Sequence, residues 1–215
     1  MPASRPRRPG RRPVQDATDL RAHLLDAAVQ AYANAGVAAS TNRAIARAAG
    51  VNPALVNYYF GDRLPDAVVE ERLLPVMAEV MAGMGEPPET PLALGSRFVD
   101  AVCGVIERHP WLPALWIREV LVDGGAFRDA VFSRIGALPR AVAARLGDAQ
   151  RAGRIDAGLD PRLVVVSLVG LTMFTAASAP IWRRLFDADD LDIDTVRRHA
   201  HAFLAHGLAS TETPP

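Results

Sequence analysis

The 215 residues suffice for one large domain or two small ones, and half of them are apolar, which excludes a wholly disordered chain. The single cysteine, Cys103, excludes internal disulfide bonds and favours a reducing compartment. All 24 basic residues are arginine and balance 24 acidic residues, so the formal net charge is zero.

The charge is distributed unevenly along the chain. Residues 1–63 contain nine Arg against four Asp, whereas the remainder contains fifteen Arg against twenty acidic residues. A basic segment joined to an acidic body predicts that an anionic polymer or surface meets the N-terminal end. No apolar stretch follows Arg11 and Arg12, so we expect no secretion signal and a cytoplasmic protein.

Residues 1–17 are rich in Arg and Pro without periodicity, which predicts a disordered arm. Its charge can bind a DNA backbone or minor groove, although such an arm can also serve only solubility. Its arginines are Arg5, Arg7, Arg8, Arg11 and Arg12. The first helix is expected to follow, with Thr18 or Asp19 as its cap and Gly36 after its last turn.

Two short helices are predicted next. The first runs from Asn42 to about Ala48 behind Thr41, and Gly50 ends it. Asn52 is expected to cap the second helix, with Pro53 at its first position. A helix pair joined by a glycine turn is typical of a helix-turn-helix, whose second helix enters the major groove of DNA.

The second helix of this pair is predicted to expose a small, uncharged face, which we call the recognition face. It suits base edges, because an Asn amide can pair with adenine and apolar groups can touch a thymine methyl. The recognition face consists of Asn52, Pro53, Ala54, Asn57 and Tyr58. Flanking donors that can reach phosphates are Thr41, Arg43, Tyr59 and Arg63. Glycine-turn helix pairs also occur in other all-α proteins, where the two tyrosines would only pack.

The spacing of apolar residues in the rest of the chain predicts further helices. Asp62 is expected to cap a fourth helix that bends at Pro75, and "GMGEPPETP" interrupts the pattern. Later helices are predicted up to Pro110, over 111–121, over an apolar stretch from Val131 to Leu146 that is interrupted or bent by Pro139, over 161–179 and from about Asp194. No segment alternates as a strand does, so the predicted class is all-α.

Residues 20–69 resemble the DNA-binding domain of the TetR family of bacterial transcriptional regulators. The resemblance is carried by "LLDAAVQAYANAG", "STNRAIARAAGVNPALVNYYFG" and the following Asp62 and Arg63. It implies that Arg43, Pro53, Ala54, Asn57 and Tyr58 approach bases or nearby backbone. It also implies phosphate contacts by Thr41, Tyr59 and Arg63. The expected organisation is an arm over 1–17, a DNA-binding domain over 18–65 and an effector-binding and dimerisation domain over 66–215.

In the resembled family, the C-terminal helices surround an effector cavity, and aromatic walls with a few polar groups would suit one here. The residues of this chain on those helices, each of which can also be plain core, are Phe98, Cys103, Trp111, Trp116, Met173 and Phe174. Arg118 and Glu119 are the charged candidates for orienting a ligand, or for pairing on the surface.

No metal and no cofactor is predicted. His199 and His201 point roughly 200° apart on a helix, so they cannot share an ion. The apolar run 163–179 is short for a membrane span and carries four hydroxyl side chains, so no membrane partner is expected. The resemblance implies instead a homodimer through four helices, near 161–179 and 194–208 of each copy.

The sequence therefore predicts a dimeric, ligand-responsive regulator, most simply a repressor, that binds a palindromic DNA operator and is released by a hydrophobic small molecule. One alternative is a helical DNA-binding protein without such an effector. Another is an α-helical enzyme that uses the C-terminal cavity, although the chain has no nucleophile–base pairing, phosphate loop or metal-ligand cluster in its sequence.

Overall fold

The computed structural model describes residues 14–86 and 90–208, and every regular element within these ranges is a helix. The predicted all-α class is thereby confirmed. The helices are α1 (Val14–Ala35), α2 (Asn42–Ala48), α3 (Pro53–Phe60), α4 (Leu64–Val68, π-helical Val69–Leu73 and Leu74–Met84), α5 (Pro91–Arg108), α6 (Leu112–Trp116 and π-helical Ile117–Leu121), α7 (Arg128–Ile135), α8 (Ala137–Arg151), α9 (Pro161–Val169, π-helical Gly170–Phe174 and Thr175–Ala177), α10 (Ala179–Phe186) and α11 (Ile193–Gly207).

The N-terminal boundary differs from the expected one. Helix α1 begins at Val14, so residues 14–17, which were expected in the arm, belong to the first helix. The arginines Arg5 to Arg12 of the predicted arm lie outside the described residues. Gly36 follows α1 with a φ of 87°, a backbone conformation that glycine adopts without steric cost.

The caps of the helix pair form as the sequence predicts. Thr41 Oγ1 accepts a hydrogen bond from the backbone N–H of Ala44 at 3.2 Å, and Asn52 Oδ1 accepts one from Ala54 at 2.9 Å. The cap predicted for α4 is wrong, because α4 begins at Leu64 behind Arg63, whose side chain makes no capping hydrogen bond. Pro65 in the first turn of α4 needs no hydrogen-bond acceptor there, so the helix starts without a side-chain cap.

Helix α4 passes Pro75 by means of a π-helical turn. Pro75 has no N–H for the carbonyl of Glu71 four residues earlier, and Arg72 Nη1 donates to that carbonyl at 2.9 Å instead. Leu74 N–H donates to Val69 O, five residues back, which widens the turn immediately before the proline. Helix α4 therefore continues past Pro75 from Leu64 to Met84, as expected, with the π-helical turn immediately before the proline.

A continuous core joins the N-terminal helices to the C-terminal ones. Buried Leu24, Ile45, Val56 and Leu64 hold α1 to α4 together, and the same cluster extends into α5 and α6. A second cluster lies among α5, α8, α9 and α11 and includes Cys103. Helix α1 also contacts α6, so the helix-turn-helix rests on the C-terminal domain through both α1 and α4.

Two predicted helices are divided. The helix expected to be interrupted or bent by Pro139 is interrupted, but at Gly136, and Pro139 lies in the first turn of α8, where a proline is tolerated. The run expected as one helix over 161–179 ends at Ala177 and turns by 71° into α10, which the sequence reading missed. Pro180 lies in the first turn of α10 and cannot donate back into α9, so the chain restarts there as a new helix.

Candidate nucleic-acid interface and effector cavity

The recognition face is exposed. Asn52, Pro53, Ala54, Asn57 and Tyr58 all face solvent, and 79% of Tyr58 is accessible. The opposite side of α3 packs into the core through Val56 and Phe60. Because α3 is anchored on one side, its uncharged side is presented outward, as contact with base edges would require.

The two helices of the pair are linked through their asparagines. Asn42 Nδ2 on α2 donates to Asn57 Oδ1 on α3 at 3.0 Å. This bond occupies the amide oxygen of Asn57 and orients its NH₂ group, which can still donate to an acceptor on DNA. Asn42 is thus a positioning residue for the recognition face that the sequence reading did not single out.

The predicted phosphate contacts surround α3. Thr41, Arg43 and Arg63 are exposed, whereas Tyr59 is half-buried and stacks edge-on against Tyr58 with 5.2 Å between ring centroids. Arg63 lies 3.6 Å from Asp66 in a solvent-exposed ion pair, so its guanidinium remains accessible.

A polar groove between α2 and α3 adds one basic residue to this set. It is lined by Thr41, Arg43, Ala44, Arg47, Val51 and Pro53. Arg47 is exposed and lies one helical turn after Arg43, so the two guanidinium groups project from the same side of α2. The spacing of four residues was the signal in the sequence that could have identified Arg47.

Two ion pairs tie α1 to α4 behind the helix pair. Arg21 makes a bidentate pair with Glu71, in which Nη2 donates to Oε1 at 2.6 Å, and Arg72 Nε donates to Asp26 Oδ1 at 2.7 Å. The hydrogen bonds from Arg21 lower the pKa of Glu71 and raise the pKa of Arg21. These pairs fix the π-helical turn of α4 relative to the first helix of the DNA-binding domain.

The C-terminal domain contains a partly open cavity of about 140 Å³, which we call the apolar cavity. It lies among α4, α5, α6, α7, α8 and α9, with the α7–α8 junction on one side. Its walls are Met77, Val80, Met81, Met84, Leu94, Phe98, Val102, Trp116, Ile135, Leu138, Pro139, Val142, Val165, Leu168, Val169 and Met173. All of these side chains are apolar except for the indole N–H of Trp116.

The six residues expected around an effector are only partly brought together. Phe98, Trp116 and Met173 line the apolar cavity. Cys103 is fully buried in the second core cluster, and burial raises the pKa of its thiol to about 11. Trp111 stacks on His109 at 5.6 Å. Phe174 is 61% exposed, on the other side of α9 from Met173. Helices α4 and α8, which supply much of the wall, were not predicted to contribute.

Arg118 and Glu119 do not line the cavity. Arg118 is exposed, whereas Glu119 is 6% exposed and accepts hydrogen bonds from the backbone N–H groups of Val37 at 2.9 Å and Ala126 at 3.1 Å. Glu119 therefore connects α6 to the loop between α1 and α2. Among the described residues, no group of three or more His, Cys, Asp or Glu side chains is arranged to hold a metal ion.

No single helix within the described ranges has both the length and the apolar character needed to cross a bilayer. Only Pro161–Ala177 and Ala179–Phe186 taken together meet these two criteria, and they are bent by 71° relative to each other.

A capped helix pair with an exposed second helix, joined to a helical domain around an apolar cavity, defines a helix-turn-helix transcriptional regulator. Residues 24–63 match the family model of bacterial regulatory proteins of the tetR family. Residues 24–63 therefore form a DNA-binding domain of the TetR type.

Solved structures of low sequence identity share the whole fold. A TetR-like transcriptional regulator from Rhodococcus sp. RHA1 is 20% identical, with 92% of this chain and 98% of that chain covered and a TM-score of 0.66. The ketosteroid transcriptional regulator KstR2 of Mycobacterium tuberculosis is 19% identical, with 88% and 95% covered and a TM-score of 0.69. FadR from Bacillus subtilis in complex with stearoyl-CoA is 17% identical, with 87% and 98% covered and a TM-score of 0.62. No curated protein sequence matches the chain significantly.

Proposed function

We infer that this protein is a ligand-responsive repressor, in which a homodimer binds a palindromic operator and a hydrophobic small molecule in the apolar cavity releases it. The observation that carries this proposal is that α4 runs from the helix-turn-helix to the apolar cavity. Its first turns contribute Leu64 and Val68 to the core beneath the helix-turn-helix, and its last turns contribute Met77, Val80 and Met84 to the cavity wall. One helix thus belongs to both sites.

This shared helix gives a physical route for regulation. A ligand that binds better when α4 is displaced favours that position, and the displaced helix carries the recognition face with it. The ion pairs of Arg21 with Glu71 and of Arg72 with Asp26 connect this motion to α1. Coupling between the sites requires only that the ligand affinity differs between two positions of the DNA-binding domains.

The DNA-contact roles follow from exposure and chemistry. Asn57, with Pro53, Ala54 and Tyr58, reads base edges, because these side chains form the uncharged exposed face of α3. Thr41, Arg43, Tyr59 and Arg63 position the domain on phosphates, and Arg47 joins them from the groove between α2 and α3.

The dimer is proposed from an exposed apolar surface on the last three helices. Monomers rarely leave a large contiguous apolar surface in water. The exposed residues concerned are Leu163, Val166, Phe174, Ile181, Leu185, Phe186 and Phe203. They lie on α9 and α11, as the sequence reading expected, and also on α10. A two-fold axis through this surface would repeat α3 at two half-sites, which is what a palindrome requires.

A hydrophobic effector is supported by the apolar character of the cavity wall and by two solved structures of the same fold. One of these is a ketosteroid transcriptional regulator and another is in complex with stearoyl-CoA. Pockets for small molecules are mostly apolar concavities, and the apolar cavity shares that character, with the indole N–H of Trp116 as the polar group of its wall.

The test begins by selecting fragments of the source genome that bind the full chain. The expected result is an inverted repeat with half-sites about 34–36 Å apart or at a longer regular spacing. Fluorescence anisotropy with that fragment then measures release by compounds that bind the cavity, which should weaken DNA binding by about 5–150-fold. Val142→Phe, which fills the cavity from α8, should bind DNA normally and lose the response. Operator binding that no cavity ligand alters would instead favour the effector-free alternative.

A further inference from the structure

The apolar cavity limits what its ligand can be. None of its sixteen wall residues ionises, so a charged group brought inside would lose its hydration without gaining a partner. We propose that the cavity takes an uncharged, largely hydrocarbon molecule with a compact core of about one ring and a single hydrogen-bond acceptor that pairs with Trp116. This inference rests on the proposed function in one respect, namely that the effector binds in the apolar cavity.

The size of the core follows from the cavity volume. An engineered apolar cavity of roughly 150 Å³ stays dry and binds benzene, and the cavity here has about 140 Å³. Four methionines, Met77, Met81, Met84 and Met173, line it, and their flexible thioethers can move aside for substituents on the ring. Met81 is 38% exposed and Pro139 is also exposed, so the cavity approaches the surface between α4 and α8.

The acceptor follows from Trp116. This side chain is 8% exposed, and its Nε1–H has no hydrogen-bond partner within the described part of the chain. A buried donor without a partner is costly, and the wall offers it no oxygen or nitrogen acceptor, only the weakly accepting thioethers of methionines. Because Nε1 is itself inaccessible, the indole ring must turn toward the cavity before a ketone, ester, ether or hydroxyl oxygen on the ligand can supply that acceptor. A carboxylate would supply it too, but at the cost of burying its charge.

The experiment measures binding of three matched probes to the full chain by isothermal titration without DNA. Ethylbenzene carries no acceptor, acetophenone places a carbonyl oxygen on the same skeleton, and benzoate carries a charge. We expect acetophenone and ethylbenzene to bind, and benzoate to bind at least about a hundredfold more weakly than acetophenone. Benzoate binding as tightly as acetophenone would overturn the inference.

Trp116→Phe keeps an aromatic ring and removes the N–H. Acetophenone affinity should then fall about three- to tenfold relative to ethylbenzene affinity, which is the usual range for one hydrogen bond. Phe98→Leu is the matched control at another wall aromatic, and it should change both affinities alike. If Trp116→Phe also lowers both alike, the Trp116 pairing is refuted. A circular-dichroism melt establishes that each variant folds.

A second measurement does not depend on any variant. The carbonyl stretching band of acetophenone bound to the wild-type chain should lie at lower frequency than in an alkane, and an alkane-like band would contradict the pairing. The outcomes also separate this inference from the proposed function. Neutral probes that bind without releasing DNA would contradict regulation through the cavity, whereas release of DNA by a tightly bound benzoate would contradict only the ligand class proposed here.

Discussion

The carboxylate of Glu119 on α6 accepts a hydrogen bond from the backbone N–H of Val37, 82 residues earlier in the chain, at 2.9 Å. Its other oxygen accepts from Ala126 N–H, so one buried side chain holds the loop after α1 and the loop before α7. Trp116, three residues before Glu119, lines the apolar cavity. The wall of the cavity and the loop leading into the helix-turn-helix are therefore less than one turn of α6 apart.

We expect Glu119→Ala to lower the free energy of unfolding by about 2–3 kcal/mol, because two backbone N–H groups lose their acceptor. Glu119→Gln should lose roughly half as much, since the amide keeps one acceptor oxygen. Urea unfolding followed by circular dichroism measures both. Arg118→Ala, at the exposed neighbour, should stay within about 0.5 kcal/mol of wild type. An Ala variant at position 119 as stable as wild type would show that water replaces the carboxylate.

Asn57→Ala should weaken binding to the selected operator by about 1–3 kcal/mol while leaving the melting curve unchanged, because Asn57 is exposed and proposed to pair with a base. Tyr58→Ala should also weaken operator binding. Asn42→Ala removes only the donor that orients Asn57, so its loss should be smaller. Anisotropy titrations with operator and random DNA provide the measurement, and an equal loss on both sequences would refute base reading.

Deleting residues 1–13, up to the start of α1, removes five arginines. We expect affinity for all DNA sequences to fall alike and the salt dependence to flatten, by about 0.9 in the logarithmic slope for each DNA phosphate that the arm neutralises. Titrations across a range of salt concentrations measure this slope. A slope equal to that of the full chain would mean that the arm does not touch DNA.

Phe203→Asp should produce monomers that keep their helicity and lose most of their operator affinity. Phe203 is 60% exposed on α11, so the charge is compatible with the monomer fold and incompatible with a buried apolar interface. Light scattering at micromolar concentration gives the mass. Phe132→Asp makes the same substitution at a 47% exposed Phe on α7 and should leave the dimer intact. If the wild-type protein is monomeric and still binds one half-site tightly, the dimer proposal is contradicted.

The Arg21–Glu71 pair should stabilise the fold in a pH-dependent way. The pKa of Glu71 is lowered in the folded state by the hydrogen bonds from Arg21, so the contribution is present above the ordinary value of 4.5 and is lost as pH falls through the lowered value. Arg21→Ala should therefore lower the melting temperature at neutral pH and make little difference in acid. Arg43→Ala, at an exposed arginine on α2, controls for loss of charge. An effect of Arg21→Ala that persists in acid would point instead to the packing of Arg21 on Phe60.

The helix-turn-helix could be predicted because its signals are local. Thr41, Asn52 and Pro53 each act on backbone groups within three residues, so the sequence alone determines where α2 and α3 begin. The effector residues could not be predicted in the same way. Met173 and Phe174 are neighbours on α9, yet Met173 lines the cavity and Phe174 is 61% exposed.

Which one faces the cavity depends on the rotation of α9, and the π-helical turn over Gly170–Phe174 alters that rotation by inserting a residue. Such turns depend on tertiary packing rather than on local sequence. The contribution of α4 was missed because its last turns reach the cavity through their packing against α5, which no local pattern in the sequence indicates.

The burial of Cys103 has a practical consequence for measuring regulation. Its thiol is fully enclosed and its pKa is raised to about 11, so the thiolate that reacts with maleimides is scarce. The chain also contains no lysine, which leaves few competing nucleophiles for thiol-directed reagents. A cysteine introduced at an exposed site such as Asp62 would therefore carry a spin label or fluorophore at a single position per subunit. The distance between two such labels would report the separation of the DNA-binding domains in solution, with and without ligand.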